Sequence, residues 1–262
     1  MIAQSFLKEL WAFFIIFLVI IARVYVKIVV ELLCKKIQRE GMYMNLFDII
    51  GPVMVGPSSS HTAGAVRIGN IARKLVGGDI AKAKIYFHGS FQLTGKGHGT
   101  DKALLAGLMG MPVDDARIPR SYAEADVRGM AYAFFPIDLG DVHPNSVKLI
   151  LDGVNGRHRE ITACSIGGGR IEITDIDGLA VRFGGDYPTL VIRNQDIPGQ
   201  VQQVTTFLAE EKINIGSMTL YRAARGADAV MVIECDKEIP EDIIPALEGL
   251  KGIVRVTYLS LK

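Results

Sequence analysis

Apolar residues recur at helical spacing over Ala65, Val66, Ile68, Ile71, Ala72, Leu75 and Val76, with Arg67, Arg73 and Lys74 on the other side, so this stretch predicts an amphipathic helix. A second apolar helix is predicted over Ala103, Leu104, Leu105, Leu108 and Met109. Between and after them come short strand-like runs at 84–88, 147–151, 160–166 and 171–173. Asn155-Gly156 separates two of these runs and signals a hairpin, and Gly167-Gly168-Gly169-Arg170 marks a further turn. The last third has its own rhythm. A strand at 189–193 leads to an amphipathic helix carrying Val201, Val204, Phe207 and Leu208. Strands at 217–221 and 229–234 flank a turn at Arg225-Gly226, and a helix opened by Pro240 precedes a final strand at 253–259. That order is β-α-β-β-α-β, the split arrangement of ferredoxin-like folds. Gly184-Gly185-Asp186 reads as a short linker. The expected fold is α/β (α+β) in two domains, 44–186 and 187–262.

The front of the chain breaks this pattern. From Trp11 to Ala22 no residue is charged, and the apolar run continues past Arg23 and Lys27 to Leu33. Counting those two cations within it gives about 20 to 24 residues, the length that spans a bilayer core of about 30 Å. Lys35, Lys36 and Arg39 would then hold the following side in the cytosol. Residues 1–43 are therefore read either as a membrane tether over 10–34 or as an extension ahead of a start at Met42 or Met44. No small-residue cleavage site follows the apolar run, which argues against a signal peptide.

Composition narrows the function classes. A chain of 262 residues can bury a core in each of two domains. Its formal net charge of +1, with no basic patch interleaved with aromatics, gives no reason to expect nucleic acid. Cys34, Cys164 and Cys235 are scattered, form no Cys-x-x-Cys pair, and fit a reducing cytoplasm.

Three loops carry the candidate chemistry. Gly56-Pro57-Ser58-Ser59-Ser60-His61-Thr62-Ala63-Gly64 stacks hydroxyls and an imidazole just before a helix whose free backbone N–H groups suit a carboxylate or phosphate. One serine would serve as an N-cap; three in a row followed by His exceed that need. Thr94-Gly95-Lys96-Gly97-His98-Gly99-Thr100-Asp101 is read as a second glycine-rich loop, with Lys96 and His98 exposed and Thr100 or Asp101 capping the next helix. It is no phosphate-binding P-loop, since five residues separate Gly89 from Gly95 and Lys96 is followed by Gly. The third loop is His143-Pro144-Asn145, ordinary turn chemistry taken alone. His61, His98 and His143 lack short-range metal-ligand spacing, so substrate binding is the expected role and no metal site is assigned to this chain.

The run from Asn45 to Gly64, together with Gly97-His98-Gly99-Thr100-Asp101 and His143-Pro144-Asn145, resembles the beta subunit of the iron-sulfur-dependent L-serine dehydratases, over about residues 44 to 262. Asp196-Ile197-Pro198-Gly199 opening a helix, with Asn214-Ile215 beyond it, resembles the ACT regulatory domain. The resemblance implies a beta subunit paired with an alpha subunit that holds a 4Fe-4S cluster, the pair converting L-serine to pyruvate and ammonia. It implies that an open iron accepts the leaving hydroxyl as a Lewis acid. Cluster ligands would then come from the partner. In this reading His61 and His98 are catalytic, orienting the hydroxyl or shuttling a proton. Ser58, Ser59, Ser60, Thr62, Lys96, Gly97, Thr100, Asp101, His143 and Asn145 bind substrate. ACT domains commonly pair, so Asp196, Pro198, Gly199, Asn214 and Ile215 are expected to hold a small amino acid at a homodimer contact, with serine the natural candidate. The alternative is an amino-acid-sensing regulatory subunit without catalytic residues. Because the resemblance starts at Met44, the preceding residues read as upstream sequence rather than a working anchor, and the expected location is the cytoplasm.

Overall fold

The computed structural model describes residues 53–260. The extension at 1–43, with the choice between a tether and an upstream start, lies outside the described residues. Among the described residues no helix is long and apolar enough to cross a membrane.

Six strands form the first sheet: β1 (Ile80–Phe87), β2 (Ala131–Pro136), β3 (Ser146–Gly153), β4 (His158–Gly167), β5 (Arg170–Ile176) and β6 (Leu179–Phe183). Their order is β2-β1-β3-β4-β5-β6. β1 and β2 run parallel with Ile85 opposite Phe134, while β1 and β3 are antiparallel with Ile85 opposite Leu149. From β3 onward the strands make a meander, and the Asn155-Gly156 hairpin joins β3 to β4 as its turn chemistry predicts.

Helices α1 (Gly64–Val76), α2 (Gly89–His98), α3 (Thr100–Leu108) and α4 (Ser121–Val127) accompany this sheet. The apolar side of α1 is buried as its spacing requires: Ala65, Val66, Ile68, Ala72 and Val76 are fully covered and join Leu104, Leu105, Val147, Leu149 and Leu151 in one core. α1 and α3 touch backbone to backbone. A Cβ on Gly107 would lie 2.1 Å from the Val66 carbonyl oxygen, and one on Gly69 would lie 2.5 Å from that of Leu104.

Two readings of the sequence need correction. The glycine-rich stretch at 94–101 is mostly helical: α2 runs through His98, and α3 begins at Thr100 after a left-handed turn at Gly99. Buried Phe91 and Gly95 anchor α2 and outweigh the low helix propensity of its glycines. Thr100 and Asp101 make no side-chain cap; Gly99 stands at that position. Likewise, the stretch before Gly64 is not a free loop, because a π-helical turn over Ser59–Ala63 already continues into α1.

The second sheet contains β7 (Thr189–Gln195), β8 (Ile215–Arg222), β9 (Asp228–Cys235) and β10 (Ile253–Leu259), in the antiparallel order β10-β7-β9-β8. With α5 (Gln200–Glu210) and α6 (Ile244–Glu248) it completes the expected βαββαβ unit. One face of the sheet packs Leu190, Ile192, Met231 and Ile233 against Val204, Leu208 and Leu247. The opposite face contributes Val191, Val230, Val232 and Leu259 to the core of the first sheet's domain. Polar contacts tie the same seam: Lys74 Nζ donates to the Ser260 carbonyl at 3.0 Å, and the Tyr221 hydroxyl donates to that of Arg182 at 2.9 Å. The linker is pinned too, since Asp186 pairs with Arg67 at 3.2 Å and Arg170 at 3.3 Å.

Candidate active site

Ser58 is the N-cap of the first turn. Its backbone is extended, and its Oγ accepts the His61 N–H at 3.1 Å. That leaves the N–H groups of Ser59 and Ser60 without an intrahelical acceptor, since the first donors of a helix have none. Both residues are half-buried. Ser58→Ala is expected to cost about 1 kcal/mol of stability by loss of this cap. Urea unfolding at an unchanged m value checks it.

The turn delivers His61 to α2. Its Nε2 lies 3.1 Å from Ser90 Oγ and 3.0 Å from Thr94 Oγ1, and its ring meets the edge of Phe91 at 5.3 Å. The Thr94 hydroxyl gives its proton to the Ser90 carbonyl at 2.9 Å, so it faces His61 as an acceptor, which assigns a proton to His61 Nε2. His98, the last residue of α2, lies alongside with ring centroids 4.8 Å apart. Its Nδ1 donates to the Thr94 carbonyl at 3.0 Å, so neutral His98 presents a free lone pair at Nε2. Burial, and then the neighbouring His98, lower the pKa of His61, while the Ser90 contact opposes the shift. At neutral pH His61 is therefore an uncharged imidazole. Thr62 locks the two segments together, its buried hydroxyl donating to the His98 carbonyl at 3.1 Å.

The third loop meets this pair from the sheet side. Ser90 N–H donates to the Pro144 carbonyl at 2.7 Å, which seats 143–145 against the start of α2. His143 Nδ1 accepts the Asn145 N–H at 3.1 Å, and Asn145 Nδ2 donates to the Ser165 carbonyl at 3.4 Å. Ser165 Oγ is buried without a hydrogen-bond partner, pressed where a Cβ on Gly64 would come within 2.2 Å of it. Thus Ser58, Ser59, Ser60, His61, Thr62, His98 and Asn145 gather around the helix start. Lys96 and Gly97 are exposed on α2, and His143 is exposed on its loop. Thr100 is wholly buried with its hydroxyl unpartnered, and Asp101 turns to α4, accepting from the Tyr122 hydroxyl. Ser90 and Thr94 were not among the residues expected to bind. Their i, i+4 spacing ahead of His98 was the available signal, visible only once α2 is read as a helix.

In the second domain Asp196 accepts from Gly226 N–H at 3.0 Å and Arg222 at 3.3 Å, which lower its pKa in that order. Its carboxylate closes the β8–β9 hairpin. Asn214 bonds to Asp236, and Ile215 opens β8 opposite Cys235. Pro198 and Gly199 lead into α5.

The donors among the described residues do not suit an iron-sulfur cluster. Among the described residues no three His, Cys, Asp or Glu side chains group to hold a metal. Cys164 and Cys235 are buried in different sheets, and burial pushes each thiol up to about 11, so neither offers a thiolate.

Fold and site define a two-domain chain in which a helix-start imidazole pair is followed by a ferredoxin-like sheet. Comparison with known proteins gives that class its family. The serine dehydratase beta chain model matches residues 44–133, and the ACT domain model matches 189–252. A probable L-serine dehydratase beta chain of Bacillus subtilis is 42% identical over 83% of this chain and 99% of its own length. The L-serine dehydratase beta chain of Peptoniphilus asaccharolyticus is 37% identical over 82% and 97%. L-serine dehydratase 2 of Escherichia coli is 39% identical over 33% of this chain and 20% of its own length. This chain belongs to the serine dehydratase beta chain family and carries an ACT domain.

Proposed function

We propose that this chain is the beta half of an L-serine ammonia-lyase, working with an alpha-type subunit to convert L-serine to pyruvate and ammonia. The observation that carries the reading is the imidazole pair held at the open start of a helix. Ser59 and Ser60 receive the serine carboxylate through their free N–H groups and hydroxyls. His98 moves a proton at Nε2, between the α carbon or the departing hydroxyl and solvent. His61, uncharged and anchored by Ser90 and Thr94, fixes the angle of its neighbour. Asn145 and His143 close the pocket from the sheet side. Lys96, Gly97, Thr100 and Asp101 complete the proposed binding segment, Thr100 by packing beside Gly95 of α2 and Asp101 by tying α3 to α4. The 4Fe-4S cluster belongs to the alpha-type partner in this proposal, consistent with the poor fit of Cys164 and Cys235, and no step above passes through it.

The ACT domain is proposed to sense an amino acid at Asp196, Pro198, Gly199, Asn214 and Ile215 and to pair with a second copy. β8 supports this, being an edge strand with Leu220 exposed. The two free buried thiols accord with a cytoplasmic location.

Anaerobic pyruvate formation from L-serine, by this chain alone and by the co-purified pair, tests the proposal. Turnover is expected only in the pair. Turnover by the alpha-type subunit alone at the same rate would leave this chain a regulator.

A further inference from the structure

Thr94 on α2 is engaged at two polar ends, and each end meets a different imidazole. Its hydroxyl lies 3.0 Å from His61 Nε2, and its carbonyl oxygen lies 3.0 Å from His98 Nδ1. A threonine within a helix can turn its hydroxyl back on the carbonyl four residues earlier, and Thr94 does so, donating to that of Ser90 at 2.9 Å. With its one proton committed there, the hydroxyl can only accept at His61. The carbonyl oxygen carries no proton and can only accept at His98. One residue therefore calls for a proton on Nε2 of His61 and on Nδ1 of His98. These are opposite tautomers, on two rings whose centroids are 4.8 Å apart.

The other contacts of His61 do not make this choice. Ser90 Oγ also reaches Nε2, at 3.1 Å, and it lies 3.4 Å from Thr94 Oγ1. Its own proton is free to turn, so the Ser90 hydroxyl accepts from a protonated Nε2 or donates to a bare one equally well. Phe91 meets the His61 ring edge-on at 5.3 Å and steadies its plane without preferring either nitrogen.

We infer that Thr94 is the positioning residue of the imidazole pair, fixing His61 as the Nε2–H tautomer and His98 as the Nδ1–H tautomer so that His98 alone offers a basic Nε2. Its consequence for turnover rests on the lyase reading above; the tautomers themselves rest on the hydrogen bonds. With the Thr94 hydroxyl gone, Ser90 satisfies His61 in either form, and the ring divides between them. His61 then no longer fixes the angle of His98, and turnover slows while Ser59 and Ser60 still receive the substrate. Thr94 is exposed, so Thr94→Val exchanges a hydroxyl for a methyl without opening the core.

Long-range proton–nitrogen NMR correlations of the full chain at about pH 8, above the ordinary histidine pKa of about 6.5, read the tautomers directly. Parent and Ser90→Ala are expected to show His61 protonated at Nε2. Thr94→Val is expected to show the Nδ1–H form or a mixture. Thr94→Ser keeps the back-bonded hydroxyl and should restore the parent pattern, and His98 should stay protonated at Nδ1 throughout. In the assembled pair, Thr94→Val is expected to lower kcat for L-serine by about tenfold with little change in KM, since a histidine free to take the wrong tautomer loses turnover rather than binding. Thr94→Ser should recover it. His61 protonated at Nδ1 in the parent, an unchanged His61 in Thr94→Val, or a changed one in Ser90→Ala overturns the assignment. A shifted tautomer with kcat equal to the parent's overturns the positioning role. If the parent pair forms no pyruvate, the lyase reading fails, and the spectra still decide the tautomers. Thermal midpoints equal to the parent's accompany the expected result; should Thr94→Val fail to fold, Thr94→Ala takes its place with the same expectations.

Discussion

In the assembled pair, His98→Gln is expected to lower kcat for L-serine by about 10²- to 10⁴-fold, the range that a positioned acid–base group contributes. The substitution spares the carboxylate-binding end of the pocket, so KM should move far less than kcat. It also spares the fold, because among the described residues the His98 ring bonds only to the Thr94 carbonyl and lies tilted beside His61, both at the edge of the core. Activity within threefold of the parent would remove His98 from the chemistry. A pH profile separates the two imidazoles. His61 has a pKa lowered below its ordinary 6.5, so its neutral form persists to more acidic pH than a free histidine. Activity and the stability linked to that group are present above 6.5 and are lost as pH falls from there through the lowered value. His61→Gln should abolish that acid limb. An unshifted limb in His61→Gln assigns it to another group.

Gly107→Ala should be the most destabilising single-methyl change in the first domain. Its new Cβ would meet the Val66 carbonyl oxygen at 2.1 Å, and that atom is helix backbone, which cannot swing aside as a side chain would. α1 and α3 must separate, loosening the layer of Ile68, Leu104 and Leu108 that both helices press onto the sheet. Overpacking of this kind costs about 3 kcal/mol, which lowers Tm by about 6–12 °C in a chain of this size. Gly97→Ala is the matched comparison: nothing lies within 4 Å of that added methyl, and helix propensity predicts equal or slightly higher stability. Equal melting of the two variants would show that the helices yield without cost.

The second domain was legible almost element by element, because its strands and helices alternate with clean periodicity and its turns carry Gly, Pro and Asn. The observed final strand at Ile253–Leu259 has the bounds that its pattern predicts. The first domain was legible in its two long apolar helices and its hairpin, and less so elsewhere. Gly95, Gly97 and Gly99 argue for a loop by propensity, yet burial of Phe91 keeps α2 helical to His98. The strand read at 84–88 begins at Ile80, since Ala81, Lys82 and Lys84 on its open face hide the alternation. Ser121–Val127 and the parallel strand Ala131–Pro136 went unread, the latter because pairing to β1 is a tertiary choice that no local signal encodes. The three histidine-bearing segments were marked as chemical from composition alone. That His61 and His98, thirty-odd residues apart, would lie side by side with their rings tilted depended on the π-helical turn and on α2, and neither announces itself in the letters.

The valines on the outer face of the second sheet have a consequence for how this polypeptide divides. Val191, Val230, Val232 and Leu259 complete the hydrophobic interior begun by α1, so the ACT region is no detachable bead on a string. A cut in the Gly184-Gly185 stretch would bare greasy surface on both fragments, inviting aggregation rather than yielding two well-behaved halves. The chain should instead melt in a single cooperative event. An amino acid bound at the proposed Asp196 site would then reach the helix-start histidines as a change in shared rigidity, with no swinging of one lobe against the other.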